Sequence, residues 1–383
     1  MISKEINIQD IYTLSHTQEG MLYHSIYSPD SDVYTQQINF TLRGKLDKSL
    51  FTKAWKMVID RHPILRTVFD WNTREKPLQI VYKTIPLPFE FKDWQNFTLD
   101  EQADNLRSLL LADLNKGFDL SKTPLIRLIL IQMSKEKFQF IWTSHHIILD
   151  GWSVFLILKD LFSLYEALIL GGELYLKPCP PYKNFIAWLK KQNLQEVENF
   201  WKNRLKGFKT PTQLWITKSP TDVQNRSQSF NDYIGKISSE LTLELKSFAK
   251  EYQLTINTLI QGIWALMISK YSGEDDVLFG TTVSGRREPE DVDKMVGLFI
   301  NTLPVRFQIN NDDSIISWLK KNQYEQVETI QYDFTQLVQI HQWSEVPNDQ
   351  PLFDQILVFE NYPVEDYFSS KERIVGIENI SWP

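Results

Sequence analysis

The sequence contains a single cysteine, Cys179, among 383 residues. That excludes an internal disulfide and fits a reducing compartment. The thiol sits in Pro178-Cys179-Pro180-Pro181, with no acid or histidine beside it in sequence, the setting of an inert linker cysteine rather than a nucleophile. No uncharged apolar run reaches the ~20 residues needed to cross a bilayer. The opening Met1-Ile2-Ser3-Lys4-Glu5-Ile6 lacks the apolar core of a secretory signal, so neither membrane nor export is expected and the protein is read as cytoplasmic. Basic residues are in the minority, 41 against 48 acidic ones, for a net charge of −7. Bulk electrostatics therefore offer nothing to nucleic acid. There is no repeat period, no low-complexity tract and no Gly-x-Ser-x-Gly nucleophile elbow. No spaced set of cysteines, histidines and carboxylates completes a metal site.

What remains is a globular composition, 42% hydrophobic and 13% aromatic, too long for one small core and suited to two lobes. Strand and helix patterns alternate. Val33–Leu42 reads as a strand, Leu50–Ile59 as a helix with Phe51, Ala54, Trp55 and Val58 on one face, and Leu65–Trp71 as a strand. Thr98-Leu99-Asp100-Glu101 is a capping box opening a helix to about Leu114. Pro124–Met133 is apolar enough for a strand buried on both faces. Further on, Leu241–Tyr252, Ile256–Tyr271 and Ile315–Tyr332 read as helices, and Val277–Val283 and Gln355–Phe359 as strands. The break at Gly171-Gly172-Glu173 and the prolines that follow mark a boundary. The expectation is an α/β protein of two lobes, residues 1–175 and 176–383.

One run carries more chemistry than any other. His145-His146-Ile147-Ile148-Leu149-Asp150-Gly151 follows the strand-like Phe138–Ser144 and precedes an apolar helix from about Trp152 to Leu168. Two imidazoles, a carboxylate and a glycine thus crowd a strand-to-helix turn. Proton transfer beside a helix N-terminus, whose free N–H groups favour developing negative charge, is the chemistry on offer. Gly151 either serves the tight turn or lets a substrate carbonyl reach a backbone N–H that stabilises an oxyanion.

This run resembles the His-His-x-x-x-Asp-Gly signature of the condensation domains of non-ribosomal peptide synthetases, in the chloramphenicol acetyltransferase superfamily. More of that family's motifs follow in order. Leu14–Leu22 resembles the opening motif, Arg61–Phe69 the second, Tyr182–Trp188 the fourth and Val296–Thr302 the fifth. Pro351-Leu352-Phe353-Asp354 matches the last in part, without its usual arginines. Gln18–Leu22 also resembles the subgroup that often accepts a donor ending in a D-residue. The resemblance covers nearly the whole chain. Family members usually run on past a point like Trp382-Pro383, so the second lobe is expected to lack its final strands and helix.

The resemblance implies two acyltransferase-like lobes in a V-shaped pseudo-dimer with the active site at their interface. It implies amide formation between a donor acyl or peptidyl thioester and the amino group of an acceptor aminoacyl thioester, in secondary-metabolite synthesis. No cofactor is expected on the domain itself, since phosphopantetheine arrives on the upstream and downstream peptidyl carrier proteins; adenylation domains are the expected neighbours. By the family pattern His146 is the base or positioning group. Adjacent side chains on an extended segment point to opposite faces, so His145 is then a packing residue. The pattern pairs Asp150 with Arg286 in an ion pair that shapes the site across lobes, treats Arg61 and Arg66 as framework, and lets Asn301 and Thr302 line the cleft. Two other functions share the signature: an epimerisation domain, for which Glu288, Glu290 and Glu360 are candidate acids, and an inactive pair of lobes that docks carriers. A heterocyclisation domain would replace the histidines by aspartates.

Overall fold

A computed structural model describes residues 7–28, 33–72, 76–172, 174–214, 233–361 and 376–381. Met1–Ile6, Glu173 and Trp382–Pro383, on which the expectations about the chain's start, its central break and its end partly rest, lie outside the described residues. The chain divides into two compact units: Met1–Gln192 with Arg286–Ile300 and Asn361–Pro383, and Asn193–Gly285 with Asn301–Glu360.

The first unit contains β1 (Ile8–Thr13), α1 (His16–Tyr27), β2 (Thr35–Arg43), α2 (Lys48–Arg61), β3 (Thr67–Asp70), β4 (Leu78–Tyr82), β5 (Phe89–Asp93), α3 (Leu99–Leu114), β6 (Ile126–Ser134), β7 (Lys137–His145), α4 (Gly151–Ile169) and α5 (Lys183–Leu189). The second contains α6 (Leu194–Leu205), α7 (Ser239–Tyr252), α8 (Ile256–Ser272), β8 (Asp276–Val283), β9 (Asn301–Gln308), α9 (Ile315–Ile330), α10 (Leu337–Trp343) and β10 (Ile356–Leu357). The final described strand, β11 (Gly376–Ser381), pairs antiparallel with β2 and so belongs to the first unit.

The first unit's main sheet has the order β11-β2-β7-β6-β5, with β5 and β6 parallel and the other neighbours antiparallel. Both of its faces are covered. Phe140 and Trp142 of β7 meet Phe51 and Trp55 of α2, with Phe162 and Tyr165 of α4 behind them. On the opposite face Ile129, Ile131 and Ile141 pack with Leu106, Leu109 and Leu110 of α3. This two-sided cover explains why nearly every residue of β7 is buried although its sequence alternates. A second sheet, β1-β4-β3, is antiparallel. In the other unit β8 lies between parallel β10 and antiparallel β9, with Phe279, Phe307 and Trp318 at the centre of a separate core.

The Thr98/Glu101 capping box forms, each side chain bonding the other's backbone N–H. Leu65–Trp71 is only partly strand, because Pro63 opens a 3-10 turn, Pro63–Arg66, that precedes β3. The chain first changes unit at Gln192, beyond the expected boundary at 175. The reason is packing: Tyr182 meets Phe299 edge-on and Phe185 meets it at a tilt, at 5.1 and 4.7 Å between ring centroids. The second half is not one continuous lobe either, since Arg286–Ile300 and β11 return to the first unit.

Candidate active site

β7 ends at His145, and the chain turns through a short 3-10 helix, His146–Ile148, before α4 begins at Gly151. The turn is held from several sides. The His146 amide donates to the Tyr34 carbonyl at 2.8 Å, the Leu149 amide to the His146 carbonyl at 3.2 Å, and the Gln18 side-chain amide to the Ile147 carbonyl at 3.0 Å.

The two imidazoles are held in opposite ways. His146 Nδ1 lies 2.7 Å from the Leu149 carbonyl oxygen. A carbonyl can only accept, so Nδ1 carries the hydrogen and the neutral ring's lone pair sits on Nε2. His145 is 5% exposed, and its Nδ1 accepts from the Ile147 amide at 3.1 Å. Its ring packs edge-on against Phe118. Burial, followed by the neighbouring His146, pushes its pKa down to about 3. His145 is therefore neutral and packed, while His146 is partly buried and contacts a carbonyl through Nδ1.

Asp150 caps α4, accepting from the Ser153 amide at 2.8 Å. The same carboxylate takes two bonds from Arg286 Nη2, at 2.8 and 3.1 Å, and one from the Phe299 amide at 3.1 Å. Both side chains are almost sealed, 1% and 6% exposed. Arg286 also donates to the carbonyls of Val292 and Met295 and to Ser153 Oγ, and lies over the Phe299 ring at 4.0 Å. The expected pairing thus exists, but both partners belong to the first unit, so it is not a bridge between lobes. Arg286 lies just past the end of β8, after Ser284 and Gly285, and opens the segment that folds back onto the α4 N-terminus. Ser153 Oγ completes the junction, donating to the Gly297 carbonyl at 2.7 Å and accepting from the Gly297 amide at 2.9 Å.

Gly151 is the first residue of the 19-residue helix α4, where an amide has no carbonyl of its own helix to bond. Arg61 donates to Asp160 at 2.7 Å, and the buried His62 also contacts that carboxylate, at 2.9 Å. Arg66 is 3% exposed and gives its donors to the carbonyls of Ile59, Asp60, Tyr82 and Lys83 and to the Gln9 side chain. Neither arginine is brought to His146 by any of these bonds. Asn301 and Thr302 start β9 in the other unit. There the Asn301 amide donates to the carbonyls of Asp333 and Thr335 at 2.8 and 2.7 Å, and its oxygen accepts from the Thr302 amide. Cys179 Sγ donates to the Lys294 carbonyl at 3.0 Å, and burial raises its pKa.

Sequence reasoning placed Gln18, Tyr182 and Gly297 only within family motifs, without their contacts, and missed the His62–Asp160 pair. Gln18 stands three residues after Ser15 in a capping-box pattern, a signal that was available, but its reach across to Ile147 was not. Among the described residues no group of three or more His, Cys, Asp or Glu side chains could hold a metal ion, and no helix is long and apolar enough to cross a membrane.

The family model described as Condensation domain matches residues 8–378. Two proteins of the linear gramicidin synthase of Brevibacillus parabrevis are among the relatives. The chain is 43% identical to one of them over 359 residues, covering 93% of this chain and 7% of that protein. It is 43% identical to the other over 382 residues, covering 98% and 7%. The chain therefore spans about 7% of the length of these relatives. Among solved structures, the starter condensation domain of rhizomide synthetase, determined in complex with C8-CoA, aligns with a TM-score of 0.74 at 20% identity, covering 91% of this chain and 78% of that one. At that identity the likeness is one of fold.

Proposed function

The chain belongs to the condensation-domain family of non-ribosomal peptide synthetases, and from that premise we propose that it joins a donor acyl or peptidyl thioester to the amino group of an acceptor aminoacyl thioester. Both substrates would be presented on phosphopantetheine arms of peptidyl carrier proteins, with an adenylation domain among the neighbours. The observation that carries the residue assignment is the 2.7 Å contact from His146 Nδ1 to the Leu149 carbonyl. It commits Nδ1 as donor and leaves Nε2 as the lone-pair site of the neutral ring.

The reaction needs that lone pair. A free α-amino group has a pKa of about 7.7–8.0 and is mostly protonated near neutral pH. As its nitrogen attacks the thioester carbon, a proton must leave and the carbonyl oxygen becomes anionic. His146 Nε2 accepts the proton or holds the amine in line, which is worth about 10²–10⁴ in rate. The Gly151 amide at the positive end of α4 can receive the oxyanion. Collapse then breaks the carbon–sulfur bond, and the departing sulfur takes up the proton that His146 Nε2 accepted, releasing the donor arm as a thiol and the ring neutral again. Asp150 and Arg286 shape the turn rather than exchange protons, because the carboxylate already accepts from the Ser153 and Phe299 amides and from Arg286.

The test mixes a donor-loaded carrier and an acceptor-loaded carrier with the chain. Amide on the acceptor carrier is the expected product, and His146→Ala should lower its rate by about 10²–10⁴. Full rate in that variant overturns the role of His146. Deuterium exchange at the α-carbon without amide means epimerisation instead, and carrier binding without either product means docking alone.

A further inference from the structure

We infer that Gln18 is a positioning residue for His146, acting through the carbonyl of Ile147, an inference that rests on the role proposed for His146. Gln18 is 0% exposed, and its side chain is used at both ends. Its oxygen accepts from the Ser15 amide at 2.9 Å and from the Gln79 side chain at 3.0 Å, completing the capping box of α1. Its nitrogen donates to the Ile147 carbonyl at 3.0 Å, 129 residues away in sequence. Gln79 is itself 0% exposed and is anchored to the Thr13 carbonyl at 2.9 Å, so the donor is aimed from a fixed base.

The target of that bond matters. Ile147 lies between His146 and Leu149, the residue whose carbonyl selects the His146 tautomer. The segment is a single 3-10 turn, whose hydrogen bonds have poorer geometry than those of an α-helix. A donor on the central carbonyl holds the peptide planes on either side of it. Without that donor a buried carbonyl is left unsatisfied, and the turn relaxes to find another partner. The distance from His146 Nδ1 to Leu149 O then changes, and with it the fraction of rings whose lone pair is on Nε2. Opposite tautomers on the adjacent rings of His145 and His146 are the state that this turn maintains.

Two substitutions separate this role from simple folding of α1. Gln18→Glu keeps an oxygen for the Ser15 amide, the standard acidic form of the capping box, but it donates to Ile147 only while protonated. Burial favours that form, so the donor is lost where the pH is high enough to ionise the carboxyl, the condition in which the variant is read. Gln18→Met removes cap and donor together. The expected result for Gln18→Glu is a kcat for amide formation lowered about 10- to 100-fold with little change in KM. Nitrogen NMR of the histidine-labelled chain, with the His146 signals assigned by their absence in His146→Ala, should show Nδ1–H losing its dominance. A folded Gln18→Glu or Gln18→Met variant with wild-type kcat and an unchanged tautomer ratio overturns the inference. So does a drop in activity without a tautomer change, which would leave Gln18 a merely structural residue. The NMR reading needs no substrate, so it tests Gln18 even if the wild-type chain forms no amide; that second failure would strike the proposed reaction and not this one.

Discussion

Each unit has an arginine gripping an aspartate, and the two pairs are not equivalent. In the second unit Arg306 of β9 forks onto Asp276 of β8 with bonds of 2.8 and 2.6 Å, but Asp276 is 37% exposed. Water shares that carboxylate, and a pair of this kind contributes little. In the first unit Arg286 and Asp150 are almost dry, and every oxygen of the aspartate is engaged by protein donors. Burial makes such a pair costly to assemble and much costlier to break. A cavity of about 600 Å³ makes the same contrast. It lies in the second unit among Phe200, Arg204, Arg306, Glu325 and Tyr332, where Arg204 pairs with Glu325, and no residue of the 145–151 motif lines it. Charge density alone does not mark the candidate site; dry charge at a helix N-terminus does.

The largest expected effect comes from Arg286→Met, which strands the Asp150 carboxylate. Stability measured by urea denaturation should fall by about 3–5 kcal/mol, with loss of amide formation. A small change would show that the aspartate is solvated after all. Next is Gly297→Ala. A Cβ there would stand 2.2 Å from Cδ2 of the buried Tyr182 ring, whose hydroxyl is tied to the Leu298 carbonyl at 2.6 Å. The ring cannot easily yield, and a cost of about 1–3 kcal/mol is expected. Gly262→Ala in the other unit meets chiefly the end of Leu319 at 2.4 Å, a more flexible neighbour, and should cost less in the same denaturation assay.

The third prediction concerns acid. His145 is held at about 3 in the fold, whereas an unfolded histidine titrates near 6.5. Between those values the unfolded chain binds more protons, so stability is lost as pH falls from about 6.5 toward 3 and is unaffected above that window. His145→Asn retains a side-chain acceptor for the Ile147 amide and removes the titration. Its denaturation free energy should vary less with pH across that range, while His62, whose pKa burial also lowers, leaves a residual slope. An unchanged slope would mean that His145 is hydrated. The smallest effect is expected for Arg306→Met, about 1 kcal/mol; a loss as large as that of Arg286→Met would erase the contrast between the two pairs.

Local patterns were legible in the sequence. The Thr98 capping box, the doubly buried β6 and the apolar α4 follow from spacing and composition within a few residues. The alternation of Phe138–Ser144 and the apolar stretch Trp152–Leu168 located the turn that joins β7 to α4. What composition and period did not carry were contacts between distant segments. Asp160 gathers Arg61 and His62 from about a hundred positions earlier, and Tyr182 covers a glycine more than a hundred positions later. The fate of Arg286–Ile300 was hidden for the same reason: nothing in its own residues says that it leaves the unit whose strand it follows. Pro63, by contrast, was a visible signal for the turn that shortened the strand expected at Leu65–Trp71.

The separation of Asp150 from Arg286 along the chain, 136 positions, has a consequence for biosynthesis. A ribosome adding about 5–20 residues per second delivers the carboxylate on the order of ten seconds before its guanidinium exists. During that interval the start of α4 cannot adopt its final dry environment, and the nascent first unit must wait, hydrated at the 145–151 turn, for a segment made after most of its neighbour.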